Sequence, residues 1–321
     1  MPAHHKTALC LTPDRAFFRQ AVCAAATVLA QEDAEQFDLF VICEAQDVAP
    51  GYELLAPGLK ARIALKTLDF RRFDRGLEAH GRLSRAVFRR LFLDRVLPDV
   101  YERIISLDSD MWITRPGLGR LTEFDLGGAV LAAAYDMIFL MDFGGGVLAR
   151  RFQAQRAKLG LSLQTPYFNA GLMAIDRQRW SAASVGDKVI EALRQNPQRY
   201  PFYEQSALNE LFAGAFAPLS PRYNFMGDFF LLDLETKIAP IVLHFVNAPK
   251  PWEYELWTGE KRFAENYSAW FAASPWPELS SGDPQLASRS RRPRSSARRR
   301  AFGERLLSFL ESRRFLDGWR P

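Results

Sequence analysis

The chain has 321 residues, 48% of them hydrophobic and 25% charged, which gives enough apolar surface for a sizeable core and excludes a disordered protein. Its formal charge of +5 is unevenly spread: residues 289–321 hold 11 Lys and Arg against 3 Asp and Glu, leaving 31 against 34 elsewhere, a net of −3. With no basic stripe interleaved with aromatics before residue 289, no nucleic-acid surface is expected in the body.

Met1 leads into a polar segment and a short strand-like run, Thr7 to Thr12, without the charged start and long apolar centre of a signal peptide. Cytoplasmic residence is therefore expected. Cys10, Cys23 and Cys43 sit in apolar stretches at spacings that suit neither a disulfide framework nor a zinc ribbon, and read as buried thiols. A helical run, Phe17 to Ala30, follows the first strand, then strands at Phe37 to Cys43 and Arg62 to Leu68. Such alternation predicts a wound α/β sheet. An amphipathic run, Ser84 to Val96, leads into the β-branched strand Arg103 to Leu107, which ends in Asp108-Ser109-Asp110. Next come a strand at Ala129 to Ala134, a loop or helix around Gly144-Gly145-Gly146 and a strand at Gly171 to Ile175. Helices are expected around Gln178 to Arg194 and Gln205 to Phe212, and a last strand at Ile241 to Phe245. The nearest candidate for a membrane span, Ala129 to Met141, is interrupted by Asp136 and falls short of the roughly 18 apolar residues required. There is no internal repeat.

Composition changes near Ser274, where Pro275, Pro277, Gly282, Pro284 and several serines make a poor helix or strand. The expected organisation is a catalytic body over residues 1–274 with its donor-binding part roughly within 1–115, a Pro/Ser/Arg-rich linker over 275–300, and a basic amphipathic tail helix over 301–321.

Two carboxylates separated by one residue at a strand end project to the same side, because side chains alternate with period two. Ligands in wound sheets collect at the carboxyl ends of strands. Ile104, Ile105 and Leu107 before Asp108, and Met111-Trp112-Ile113 after Asp110, set this pair in apolar surroundings rather than in a solvated loop. Of the four histidines, His4, His5, His80 and His244, only His244 follows an apolar run, Ile241-Val242-Leu243, and six residues later comes Lys250, flanked by Pro249 and Pro251. Two carboxylates and a neutral imidazole suit Mn²⁺ or a similar divalent ion with positions left for diphosphate oxygens. Lys250 can then take up remaining phosphate charge.

Five segments in order carry a family resemblance: Arg103 to Asp110, Tyr167-Phe168-Asn169-Ala170-Gly171, Tyr203-Glu204-Gln205-Ser206-Ala207-Leu208-Asn209, Arg222-Tyr223-Asn224-Phe225-Met226, and His244 to Trp252. Over roughly residues 7–260 the chain resembles glycosyltransferase family 8, retaining enzymes that include bacterial lipooligosaccharide galactosyl- and glucosyltransferases and, more distantly, glycogenin. The resemblance implies an α/β fold of the GT-A type, with a mixed, mainly parallel sheet and a basic C-terminal extension. It implies a UDP-sugar donor, a saccharide acceptor such as lipopolysaccharide core, and Mn²⁺ or Mg²⁺ on Asp108, Asp110 and His244. Lys250 would meet the diphosphate, Asp14 the base, and Arg90, Ser109 and Ala170 the donor. Asp136 and Asn169 would bind the donor sugar, as would Glu204, where the family more often has Asp. Gln205 would stand near the anomeric carbon.

The chain also departs from the family. Ala16 and Phe17 replace an Asn and a Tyr after the base-binding acid, Asn247 replaces a Gly, and Ser206 replaces an acid that is a candidate nucleophile. Trp252 reads as a packing residue. Seven arginines from Arg289 to Arg300, followed by an apolar and arginine-mixed segment ending in Trp319, point to anionic lipid at the inner leaflet, where a lipid-linked saccharide acceptor would be met. Two rival readings are a haloacid dehalogenase-like phosphohydrolase, from D-x-D followed by Thr114, and a non-catalytic nucleotide-sugar binder, from Asn247 and Ala16.

Overall fold

In the computed structural model the described residues are 6–74, 76–77, 84–254, 256, 259–280 and 297–316. His4, His5 and His80, residues 281–296 of the expected linker, and the tail beyond residue 316 lie outside them.

Among the described residues ten strands run in chain order: β1 (Thr7–Leu11), β2 (Asp38–Cys43), β3 (Ile63–Thr67), β4 (Arg103–Leu107), β5 (Met111–Ile113), β6 (Leu131–Tyr135), β7 (Phe168–Asp176), β8 (Ala217–Leu219), β9 (Phe225–Met226) and β10 (Val242–His244). Seven form one sheet in the order β3-β2-β1-β4-β7-β6-β8, and a small sheet has the order β5-β10-β9. In the large sheet β1 to β4 pair in parallel, β7 runs antiparallel to both β4 and β6, and β8 is parallel to β6. The wound, mainly parallel sheet expected from the sequence is thus present. All five residues of β1 and all six of β2 are buried, as central strands covered on both faces must be.

The helices of ten or more residues are α1 (Phe18–Leu29), α2 (Val147–Lys158), α3 (Val185–Gln195), α4 (Tyr203–Phe212), α5 (Lys261–Ala272) and α6 (Ala297–Ser312). One face of the large sheet packs on α1 and α5 through Phe18, Val22 and Phe271; the other packs on α3 and α4 through Val189, Leu193 and Leu208. The predicted helix over Gln178 to Arg194 is two helices, Arg177–Ala182 and α3, separated at Ser184, which has a positive φ of 51°. The predicted run Ser84 to Val96 is a 3₁₀ helix, Arg85–Phe92, followed by one α-helical turn, Leu93–Val96.

Helix α6 carries Phe302, Leu306 and Leu310 at four-residue spacing, and these side chains, with Phe315, are buried in the same core as α1 and β5. Phe309 lies against Phe143, and Phe302 sits so close to Gly144 that a β-carbon there would come within 2.9 Å of it. The apolar face of α6 is therefore packed inside the fold in this structure. No helix among the described residues is long and apolar enough to cross a membrane.

Candidate active site

Strand β4 lies between the parallel β1 and the antiparallel β7 in the middle of the large sheet, so its carboxyl end falls where strand direction changes. The chain leaves β4 at Asp108, turns at Ser109 and Asp110, and re-enters as β5 in the small sheet. His244, the last residue of β10, pairs opposite Met111 and beside Met226. Phe245 N donates to Asp110 O at 3.0 Å, and Asp108 N donates to Gly171 O at 2.8 Å. Two sheets thereby place residues more than 130 positions apart side by side. One ligand atom from each of Asp108, Asp110 and His244 lies within 4.8 Å of the others. His244 Nε2 stands 3.2 Å from Asp110 Oδ1 and 3.7 Å from Asp108 Oδ2.

The residues fit a divalent cation. Two hard oxygen donors and one imidazole nitrogen converge, and the backbone leaves room for them. A β-carbon on Gly171 would fall 2.4 Å from His244 Cε1 and 2.9 Å from Asp108 Oδ2, so only glycine permits this approach. Burial alone would raise the Asp110 carboxyl, but His244 and Lys250 outweigh it and hold the group well below the usual carboxylate range.

Arg90 is buried and faces three partners. It donates to Asp108 Oδ1 and, at 2.6 Å, to Ala170 O, and its Nε lies 3.8 Å from Glu204 Oε1. Burial pushes the Glu204 carboxyl up to about 7; Arg90 pulls it down and Asp108 adds to the rise. Glu204 Oε2 is buried without a hydrogen-bond partner among the described residues. Tyr203, just before it, has a positive φ of 46°, a costly conformation that turns Glu204 and Gln205 inward at the start of α4.

A second cluster adjoins the first. Asp136 follows a register shift between β6 and β7, an irregularity of the kind that re-aims a side chain. Its Oδ1 accepts from Ile138 N at 2.7 Å, and its Oδ2 accepts from Asn169 Nδ2 at 2.7 Å and Gln205 Nε2 at 3.3 Å. Gln205 Oε1 accepts from Ala170 N at 3.0 Å. Burial raises the Asp136 carboxyl against these bonds.

Ten of the residues singled out in the sequence, Arg90, Asp108, Asp110, Asp136, Asn169, Ala170, Glu204, Gln205, His244 and Lys250, thus form one connected site, with Ser109 in the turn between its two acids. Asp14 sits apart from this network, in the loop after β1, where its Oδ1 caps Phe17 N at 2.9 Å. Ser206, which stands where the family has an acid, bonds Tyr167 Oη at 3.1 Å and packs. Thr114 Oγ1 donates to Pro240 O at 2.8 Å and braces β5, so it makes no case for a phosphohydrolase. Trp252 packs edge-on against Phe17 and Tyr267.

Three contributors escaped the sequence reading: the close approach at Gly171, the role of Asn224, and the ion pair of Arg89 with Asp47. Arg89 Nη2 lies 2.6 Å from Asp47 Oδ2, Arg89 Nη1 donates to Pro13 O, and Arg15 N donates to Asp47 Oδ1 at 3.1 Å, so the pair holds the loop that carries Asp14.

Known proteins supply the class. The fold is similar to that of LgtC, described as a galactosyltransferase in complex with donor and acceptor sugar analogues. That structure superposes with a TM-score of 0.65 at 22% identity, over 81% of this chain and 94% of that one, and the shared architecture is the GT-A fold. The sequence model of glycosyl transferase family 8 matches residues 8–255, and the chain belongs to that family. Glycosyltransferase GlyE of Streptococcus pneumoniae is 27% identical over 53% of this chain and 38% of its own length. Lipopolysaccharide 1,2-glucosyltransferase of Escherichia coli is 24% identical over 62% of this chain and 58% of its own. The chain thus matches less than two thirds of the length of either relative.

Proposed function

We propose that the protein is a retaining hexosyltransferase that takes glucose or galactose from a UDP-sugar and passes it to a saccharide acceptor, lipopolysaccharide core or another glycoconjugate. The observation that carries this reading is the convergence of Asp108, Asp110 and His244 within 4.8 Å beside Lys250 and the Arg90–Glu204 pair. Asp108, Asp110 and His244 would hold a Mn²⁺ or Mg²⁺ ion, which when bound would supply Lewis-acid stabilisation to the departing diphosphate. Lys250 adds a positive charge to that leaving group, and the Arg90 guanidinium holds Asp108 in place. Asp136 and Asn169 hold sugar hydroxyls. The neutral amide of Gln205, steadied by Ala170 N, stabilises positive charge at the anomeric centre and is a poor nucleophile. The acceptor hydroxyl then attacks from the face that the diphosphate leaves, and its proton passes to a departing phosphate oxygen.

The lipopolysaccharide part of this reading is supported by the activity for which the Escherichia coli relative is named. Placement at the inner face of the cytoplasmic membrane would rest on the arginines of residues 289–300 and their attraction to anionic lipid, without insertion of the apolar face of α6. The decisive experiment screens UDP-glucose and UDP-galactose for Mn²⁺-dependent hydrolysis and transfer by the wild type and by Asp108→Asn. The expected result is activity with one donor and a loss of about 10²- to 10³-fold in the variant. Wild-type rates in Asp108→Asn, or phosphatase activity without sugar transfer, would refute the reading.

A further inference from the structure

Asn224 lies between β8 and β9, fully buried, where no solvent competes for its amide. It joins the two halves of the site. Its Nδ2 donates to Asn169 Oδ1 at 2.8 Å, and its Oδ1 lies 2.8 Å from His244 Nδ1. Asn169 in turn reaches Asp136 Oδ2 through Nδ2 at 2.7 Å.

The direction of every bond in this chain is set from one end. The Asp136 carboxylate only accepts, so the Asn169 group facing it must be the amide nitrogen. The backbone N–H of Gly171 fixes the same residue independently, because it donates to Asn169 Oδ1 at 2.9 Å. An oxygen there obliges Asn224 to present its nitrogen to Asn169 and its oxygen to His244. The His244 ring must then carry a proton on Nδ1, which leaves Nε2 as the nitrogen whose lone pair is available toward Asp108 and Asp110. Among the described residues, Asn224 is the hydrogen-bond partner of His244 Nδ1. Nε2 faces Asp110 Oδ1 at 3.2 Å and Asp108 Oδ2 at 3.7 Å.

We infer that Asn224 is a positioning residue for the metal centre: through Asn169 and Asp136 it fixes the His244 tautomer that can ligate a cation, and so ties the metal ligand to the sugar-binding acid. The inference rests on the metal reading above and adds to it the device that makes the imidazole competent. A partner of this kind on the non-ligating nitrogen of a metal-bound histidine is worth about 10- to 100-fold in metal affinity.

The test uses the full chain, with Asn224→Leu, branched at the same carbon and unable to accept, and Asn224→Asp, which can still accept from Nδ1. Nitrogen-15 NMR of the imidazoles in metal-free protein, with His244 assigned by its loss in His244→Ala, reads the proton on Nδ1. It is expected in wild type and in Asn224→Asp, and absent in Asn224→Leu. Mn²⁺ binding followed by electron paramagnetic resonance is expected to weaken by about 10- to 100-fold in Asn224→Leu, with the Asp variant in between. Circular dichroism establishes that each variant is folded. A wild-type ring without the Nδ1 proton, or a folded Leu variant that keeps it or binds Mn²⁺ as wild type does, overturns the inference and leaves the metal reading intact. Failure of wild type itself to bind Mn²⁺ would instead remove the metal reading, and the tautomer measurement would still decide the role of Asn224.

Discussion

Lys250 and Asp110, 140 residues apart in sequence, form a half-buried ion pair in which Nζ lies 2.6 Å from Oδ2. The same ammonium also donates to the carbonyls of Phe245 and, at 2.9 Å, Val246, so three oxygens hold it at the rim of the cation site. A lysine there can neutralise a phosphate oxygen without displacing the metal ligands. Lys250→Met is expected to weaken UDP binding by about 10- to 100-fold, the range of a charge-assisted hydrogen bond, while Mn²⁺ affinity is kept or rises because one competing cation is gone. Calorimetric titration with UDP and with Mn²⁺ separates the two. Unchanged UDP affinity would show that the lysine serves the carboxylate alone.

The pair also shows what the sequence could reveal. Asp108 and Asp110 were legible because a run containing Ile104, Ile105 and Leu107 predicts a buried strand and the acids fall at its end. His244 was legible for the same reason. What brings the imidazole to the acids was not: β9 has two residues and β5 three, too short for any periodicity, and their pairing is set by contacts across more than a hundred residues. The run around Arg89 and Arg90 reads as amphipathic, and the structure turns both arginines inward, where Asp47 and Asp108 hold them. Pattern alone cannot tell a buried, paired arginine from a solvated one. In the tail, the four-residue spacing of Phe302, Leu306 and Leu310 predicts an apolar helical face but does not say whether lipid or protein covers it.

Glu204 predicts a pH dependence with a definite sign. Its carboxyl is raised by burial from an ordinary 4.5 to about 7. A raised carboxyl favours the folded state fully below the ordinary value, and that contribution is lost as pH rises through about 7. Glu204→Gln removes the titration. Relative to the variant, wild type is therefore expected to lose stability between about pH 4.5 and 7, by at most about 3 kcal/mol for a shift of that size. Thermal melts of both proteins in the absence of metal, from pH 5 to 8, check it; parallel curves would refute it.

Arg89 and Asp47 make a prediction for the nucleotide end of the site. Both side chains are nearly inaccessible, and removal of one partner leaves a buried charge, although Glu44 Oε2 at 3.5 Å offers partial compensation. Asp47→Ala is expected to cost about 3 kcal/mol in denaturant unfolding and to raise the KM for the nucleotide-sugar, because Arg15 N and Arg89 lose the group that fixes the Asp14 loop. Asp47→Asn, which keeps an acceptor, is expected to fall between the two. A destabilised Asp47→Ala with unchanged KM would confine the pair to folding.

The last prediction separates a tail that folds from a tail that anchors. Leu306 is fully buried at the middle of α6, among residues of the catalytic core. Truncating it removes apolar contact and leaves a cavity, so Leu306→Ala is expected to cost about 3 kcal/mol, or roughly 5–10 °C in Tm, in detergent-free buffer. A side chain reserved for lipid would be exposed in that buffer, and its loss would leave Tm unchanged or raise it. The arginines make the complementary case. Arg298, Arg299 and Arg300 open the same helix, and their replacement by glutamine is expected to lower sedimentation with anionic vesicles while Tm moves by under about 1 kcal/mol equivalent. If instead Leu306→Ala abolishes vesicle binding and leaves Tm unmoved, the tail helix leaves the core at the membrane and its packing against Gly144 and Phe143 is only one of two positions.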